Sequence, residues 1–223
     1  MGPAARFHGL ISSLTILIMF WGLTWAKDIL STLPKQYPLI SSLSALVSSI
    51  GVYRLIAMGA TWLLNRSLLI KEWIMGAHFL HGTWIGYFIG HAGDKRIFIE
   101  QYDQDLEKFI INGRSYTEIK EPHGFWHSDS IGLDARSGWL TFTYTYHIIS
   151  RNIIVNGIAT FQFERSASYK APVGLAGYAH DQNDDKRIPT QQIKISSQLL
   201  SMSDALEIAM KHPFIFKQNS EKS

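Results

Sequence analysis

The sequence predicts a mainly-β protein: an antiparallel meander, closed into a barrel or folded as a sandwich, behind a two-helix transmembrane hairpin. Two observations predict it. Phe7 to Ala26 carries no charge, and from Tyr37 to Asn65 the only charge is Arg54. A helix needs ~20 mostly apolar residues to cross a bilayer core of ~30 Å, and both runs are long enough. From Gly82 onward the pattern changes to short alternating segments separated by turn signals, as hairpin-connected strands require.

The anchor is expected over residues 1–66, with helices at about 7–26 and 38–64. Between them, Lys27 to Pro38 is short and holds two prolines, as a turn between antiparallel spans should. Arg6 flanks one far end and Arg54, Arg66 and Lys71 the other, against Lys27 and Lys35 in the connector. The positive-inside rule thus leans towards both termini in the cytoplasm. Thr24-Trp25-Ala26 has some likeness to a signal-peptidase site, but cleavage there would leave the soluble domain on the same side. Arg54 has two readings: it snorkels near the interface, or it lies within the bundle and serves function. Residues 67–81 read as a linker.

Strands are expected near Thr83–Ile89, Arg96–Tyr102, Glu107–Asn112, Ser115–Ile119, Gly124–Leu133, Trp139–Ile149, Ile153–Phe163, Gly174–Asp181 and Arg187–Ile195, within a domain spanning 82–197. Breaks fall at Ala92-Gly93-Asp94, Asn112-Gly113, Glu121-Pro122, Asp134 to Gly138, Arg165 to Pro172 and Gln182 to Asp185. Asn-Gly and Gly-bearing loops suit hairpins. The cleanest alternation places Leu140, Phe142, Tyr144, Tyr146 and Ile148 on one face, with Thr141, Thr143, Thr145 and His147 on the other. Ser203 to Lys211 reads as a short helix with Ser203 as N-cap, inside a C-terminal segment 198–223.

The formal charge of +3 comes entirely from Arg6, Lys27, Lys35 and Arg54 against Asp28, so the rest of the chain is balanced. A neutral soluble domain argues against binding DNA or RNA polymers, which needs a basic field. The chain has no cysteine, which excludes disulfides, thiol catalysis and cysteine zinc sites. His78-x-x-His81 would share a helix face but lacks a third ligand, and Asp181 to Asp185 lacks the spaced ligands and glycine of a calcium loop. No P-loop, G-x-S-x-G or H-E-x-x-H motif is present. Neither catalysis, nor a metal, nor a cofactor is therefore expected.

Gly82-Thr83-Trp84-Ile85-Gly86-Tyr87 is a G-x-W-x-G segment opening the first strand directly behind two membrane spans. Leu175-Ala176-Gly177-Tyr178 and a closing strand, Gln192 to Ile195, come near the end. This layout resembles the two-transmembrane β-barrel effectors of bacterial cyclic-oligonucleotide anti-phage signalling (CBASS). G-x-W by itself is also similar to lipocalins in general, and the loop from Lys170 to Gly174 and the tail beyond Ser196 match no feature of the family. The resemblance implies an eight-stranded, lipocalin-like barrel in the cytoplasm, anchored in the inner membrane by a multi-pass hairpin. It implies an effector rather than an enzyme: the barrel binds a cyclic dinucleotide second messenger, protomers assemble into a homo-oligomer, and the clustered spans disrupt membrane lipid.

Within that resemblance, Trp84 is expected to plug one barrel end, with Gly82 and Gly86 permitting strand curvature or close backbone approach. A cyclic dinucleotide needs Arg or Lys for phosphates and aromatic rings for bases. The best-placed candidates are Arg114 beside Tyr116, and Arg151 just after the Tyr144/Tyr146 strand, with Tyr178 and His180 reaching the same cavity. Taken singly, each is more readily a solvated charge or ordinary packing. The alternative function is a membrane-anchored lipocalin-like carrier or scaffold for a small hydrophobic ligand. An enzyme acting on a lipid or small molecule inside the barrel is the third reading.

Overall fold

The computed structural model describes residues 2–25, 38–90, 93–182 and 185–216. It divides into two compact units, residues 1–75 and residues 76–223. The predicted connector between the spans lies outside the described residues.

The first unit is helical. Helix α1 runs Pro3–Trp25 and α2 runs Pro38–Arg66. Both are long and apolar enough to cross a membrane, over Pro3–Gly22 and Leu46–Arg66. They pack on each other, and His8 Nδ1 meets the Tyr53 hydroxyl at 2.9 Å. Arg54 is exposed within α2, and that helix continues past it to Arg66. A third helix, α3 (Leu68–Met75), fills most of the segment read as a linker.

The second unit is a closed eight-stranded barrel in which each strand pairs with the next and β8 closes on β1. Its strands are β1 Gly82–Ile89, β2 Lys95–Gln104, β3 Phe109–Thr117 and β4 Pro122–Asp134. They continue as β5 Trp139–Ile148, β6 Ile153–Glu164, β7 Gly174–Asp181 and β8 Ile188–Ser196. Every pairing is antiparallel.

Local chemistry sets two of the turns. Asp105 Oδ1 accepts the Glu107 and Lys108 amides, and Asp134 Oδ1 accepts those of Arg136 and Ser137. These are Asx turns. One predicted turn is absent. Asn112-Gly113 sits inside β3, so the two strands expected on either side of it are one. The glycine answers a steric demand: a Cβ at 113 would stand 2.0 Å from Trp126 Cε2.

Alternation sends one residue set inward. Leu80, Trp84, Tyr102, Ile111, Leu140 and Phe161 belong to the interior core. Trp84 stacks on Tyr102 at 5.3 Å and donates its indole N–H to the Leu80 carbonyl at 2.9 Å. Gln104 secures the same end, its Oε1 accepting the Leu80 and His81 amides and its Nε2 donating to His78 O. The barrel thus includes residues ahead of its first strand. His78 closes a 3-10 turn, Gly76–His78, and His81 lies outside any helix, so the two imidazoles do not share a helix face.

The outward set on β1 and β2 is also apolar. Ile85, Tyr87, Ile97 and Ile99 pack with Ala205, Ala209 and Ile215 of the C-terminal segment. Burial of each large side chain contributes ~1.5–3 kcal/mol. Helix α4 covers Met202–Ala209, and its N-cap is Ser201 rather than Ser203, accepting the Asp204 amide at 3.1 Å. Thr83 positions the lead-in to this helix, donating to Gln198 O and accepting from the Leu200 amide, each at 2.8 Å. A final short helix, α5, spans Pro213–Phe216.

Candidate functional site

Opposite the Trp84 end, inward residues leave a half-open cavity of about 80 Å³, on a scale where one water takes ~10–15 Å³. Rings make its walls: Phe88, Phe98, Trp126, Phe142, Tyr146 and Phe161, with Tyr144 between them. Trp126 meets Phe98 and Tyr146 edge-on at 5.9 and 5.6 Å. Small residues on β6 and β7, Ala159 and Ala179, leave the space these rings enclose.

Glu100 forms the floor. It is 3% exposed, accepts the Trp126 indole N–H at 2.9 Å, and accepts the Tyr102 hydroxyl at 3.0 Å. Tyr102 in turn accepts Gln192 Nε2 at 2.9 Å. Burial pushes the Glu100 carboxyl up to about 7, against the opposing pull of its hydrogen bonds from Trp126 and Tyr102 and of the nearby Gln192 amide. Burial, and then the neighbouring Glu100, holds the Tyr102 phenol well above its ordinary value. On the wall, Asp181 accepts the Tyr144 hydroxyl at 2.7 Å, and burial, reinforced by Asp181, raises the Tyr144 phenol. Glu100 and Asp181 are the only charged groups lining the cavity among the described residues.

Cations stand at the mouth. Arg96, on the inward face of β2, pairs with Asp94. His123 is lowered first by burial and then by Arg96, with Arg151 adding to this and Asp94 opposing it. Arg96, Asp94 and Arg151 therefore all act on His123.

The structure brings together only part of the predicted ligand set. Tyr144 and Tyr146 line the cavity, and Tyr146 also meets Ser115 Oγ at 3.0 Å. Arg114 does not: Gly113 and Ser115 on either side of it are buried, and it is exposed on the outer face. Arg151 belongs to the exposed turn Ile149–Arg151 and reaches only the rim. Tyr178 and His180 occupy the outer face of β7, alternating with the inward Ala179 and Asp181. Tyr178 lies under the Arg187 guanidinium at 4.5 Å. Choosing the wrong face of a strand misplaces every side chain on it, and the larger residues of Gly-Tyr-Ala-His-Asp invite that choice. In the structural G-x-W-x-G segment, Gly82 has φ +135° and a Cβ there would meet Ser196 O at 2.1 Å. Gly86 leaves room for the Phe98 ring, 2.2 Å from where its Cβ would stand.

Glu100, Trp126 and Asp181 were missed by sequence reasoning. A signal for the first exists. Phe98, Glu100 and Tyr102 share one strand face, so a carboxylate between two inward aromatics had to be inside.

No family model matches the chain, and no curated protein matches it. Among solved structures it is similar to a redesigned beta barrel, mFAP1, bound to DFHBI, at 14% identity and TM-score 0.39, covering 53% of this chain and 97% of that one. A second redesigned beta barrel, b11L5F_LGL, is 11% identical with TM-score 0.39, covering 54% of this chain and 96% of that one.

Proposed function

We propose that this chain is a membrane-anchored ligand sensor of the CBASS effector kind, whose barrel binds a cyclic dinucleotide in the cytoplasm and whose helices deliver the output. The observation that supports this reading best is the cavity itself: aromatic walls able to hold a base, with Arg96 next on the inward face of β2 beyond the lining Phe98. Bases stack on rings for ~1–3 kcal/mol each, and guanidinium groups hold phosphate oxygens by charge-assisted hydrogen bonds. Ligand binding then assembles protomers, and clustered helices disrupt the inner membrane of a phage-infected cell.

Calorimetry of the full chain in nanodiscs against a panel of cyclic dinucleotides tests the first step, and membrane depolarisation in cells tests the second. Binding in at least the micromolar range is expected for one member of the panel. If none binds below about the millimolar range, the sensor reading fails.

A second reading is favoured by one specific feature, the absence of a cation among the described cavity-lining residues. A carrier of a small, mostly apolar molecule needs walls of this kind. Displacement of a bound environment-sensitive dye by apolar amines, with no response to any cyclic dinucleotide, would select that reading.

A further inference from the structure

Taking the cavity as the sensor's ligand site, we propose that it receives one planar ring system bearing an amidine-type N–H edge, as guanine does, with that edge on the Glu100 carboxylate. The inference rests on the sensor reading only for the phosphate-bearing part of the ligand.

Size comes first. About 80 Å³ admits a single ring system and excludes a whole dinucleotide, so a larger ligand enters by one base and leaves its backbone at the mouth. Shape agrees. Trp126, Phe98, Tyr146 and Phe142 present ring faces and edges around the space, which suits a flat aromatic guest.

Polarity then selects among rings. Glu100 and Asp181 are the acidic groups of the lining; an ionised carboxylate only accepts hydrogen bonds, and an N–H edge brought to Glu100 favours that ionised form. A carboxylate has about four lone-pair sites. In Glu100, Trp126 and Tyr102 each take one. A buried carboxylate with no cation beside it is costly, and a guest with two parallel N–H groups supplies the missing donors in the bidentate geometry such groups prefer. Guanine offers a ring N–H next to an exocyclic amine. Uracil sets carbonyl oxygens on both sides of its one N–H, which would face Glu100 with repulsion, so the floor discriminates against it.

The test uses the full chain in nanodiscs and four probes: cyclic di-GMP, its inosine counterpart lacking both exocyclic amines, cyclic di-UMP, and 2-aminobenzimidazole. The last carries the donor edge and no phosphate. Cyclic di-GMP should bind at least tenfold more tightly than its inosine counterpart, and cyclic di-UMP more weakly still. Glu100→Gln should remove most of that preference and should abolish 2-aminobenzimidazole binding. The inosine comparison needs no variant, so it decides the matter even if Glu100→Gln does not fold. Equal binding of the guanine and inosine ligands overturns the inference while leaving the sensor reading intact. Glu100-dependent binding of 2-aminobenzimidazole, with no cyclic dinucleotide bound, upholds the inference and removes the sensor reading. Failure of all four probes overturns the inference, and failure of the rest of the cyclic dinucleotide panel as well overturns the sensor reading.

Discussion

Glu100 and Trp126 sit two strands apart in one cross-strand row, with Gly113 between them, and are joined by a 2.9 Å hydrogen bond. The indole reaches over β3 because position 113 has no side chain. That one row therefore makes the cavity's floor and one of its walls.

Gly113→Ala should break this arrangement. A methyl 2.0 Å from Trp126 Cε2 must displace the ring or the strand, and overpacking of this kind costs ~1–3 kcal/mol. Losing the donor to a buried carboxylate adds to it. Thermal unfolding should show the drop, and any cavity ligand should bind the variant more weakly.

The same glycine shows how far the sequence could be read. Alternation and turn residues were enough for an antiparallel meander behind two apolar helices, because period two and hairpin chemistry are local properties; they left barrel and sandwich open, and the closed eight-stranded barrel came from the resemblance alone. Asn112-Gly113 imitates a turn locally, and only the indole of another strand explains why it is not one. The inward-facing tyrosines were legible on β5, where large and polar residues alternate without ambiguity. On β7 the inward positions towards the cavity are Gly177, Ala179 and Asp181: a Cβ at Gly177 would meet the Thr160 carbonyl of β6 at 1.9 Å, and Ala179 and Asp181 border the cavity that rings from other strands enclose. Their role is set by partners distant in sequence, so Tyr178 and His180 look like the better candidates until the barrel closes.

Stability should respond to pH through Glu100. Its carboxyl is pushed up to about 7 from an ordinary 4.5, chiefly by burial. Between those values the folded chain keeps a proton that the unfolded chain has released, so stability falls as pH rises. The contribution is fully present below about pH 4.5 and is lost as pH climbs through about 7, a change on the order of 3 kcal/mol at ~1.4 kcal/mol per unit. The lowered His123 acts in the opposite sense, losing stability as pH falls. Comparing melting curves of the wild type and Glu100→Gln between pH 5 and 8 isolates the carboxyl: the variant should be flatter and gain relative stability at the alkaline end.

A fragment beginning at Gly76 should fold alone and give a strand-dominated circular dichroism spectrum, since the barrel closes on itself. One beginning at Gly82 should be less stable by several degrees. It loses Leu80 from the core and removes the bonds by which the buried Gln104 amide holds the backbone of residues 78, 80 and 81. A helical spectrum from the longer fragment would contradict the fold. Within it, Trp84→Ala should cost ~3–5 kcal/mol as a large buried-aromatic deletion.

Topology is open to a fusion test. The sensor reading places both termini in the cytoplasm, from Arg6 and the Arg66 and Lys71 side of the hairpin. A C-terminal alkaline phosphatase should then be inactive and a C-terminal fluorescent protein bright. Active phosphatase would put the barrel beyond the reach of a cytosolic messenger.

The arginines separate rim from surface. Under the sensor reading, phosphate leaves the cavity where Arg96 and Arg151 stand, whereas Arg114 points away from it. Arg96→Ala removes a charge-assisted contact worth ~1.5–3 kcal/mol, roughly tenfold to over a hundredfold in affinity. It also leaves Asp94 unpaired beside the incoming phosphate, which deepens the loss. Arg151→Ala should weaken binding less, because that side chain is exposed and solvent screens it. Arg114→Ala should change nothing. Raising the salt concentration should reduce wild-type affinity and narrow the gap to Arg96→Ala, because screening weakens the contact that this variant lacks. Titration of the three variants with whichever cyclic dinucleotide binds the wild type gives the ranking directly. Should Arg114→Ala prove the most damaging of the three, the ligand sits on the outer face of β3 and the cavity is not its site.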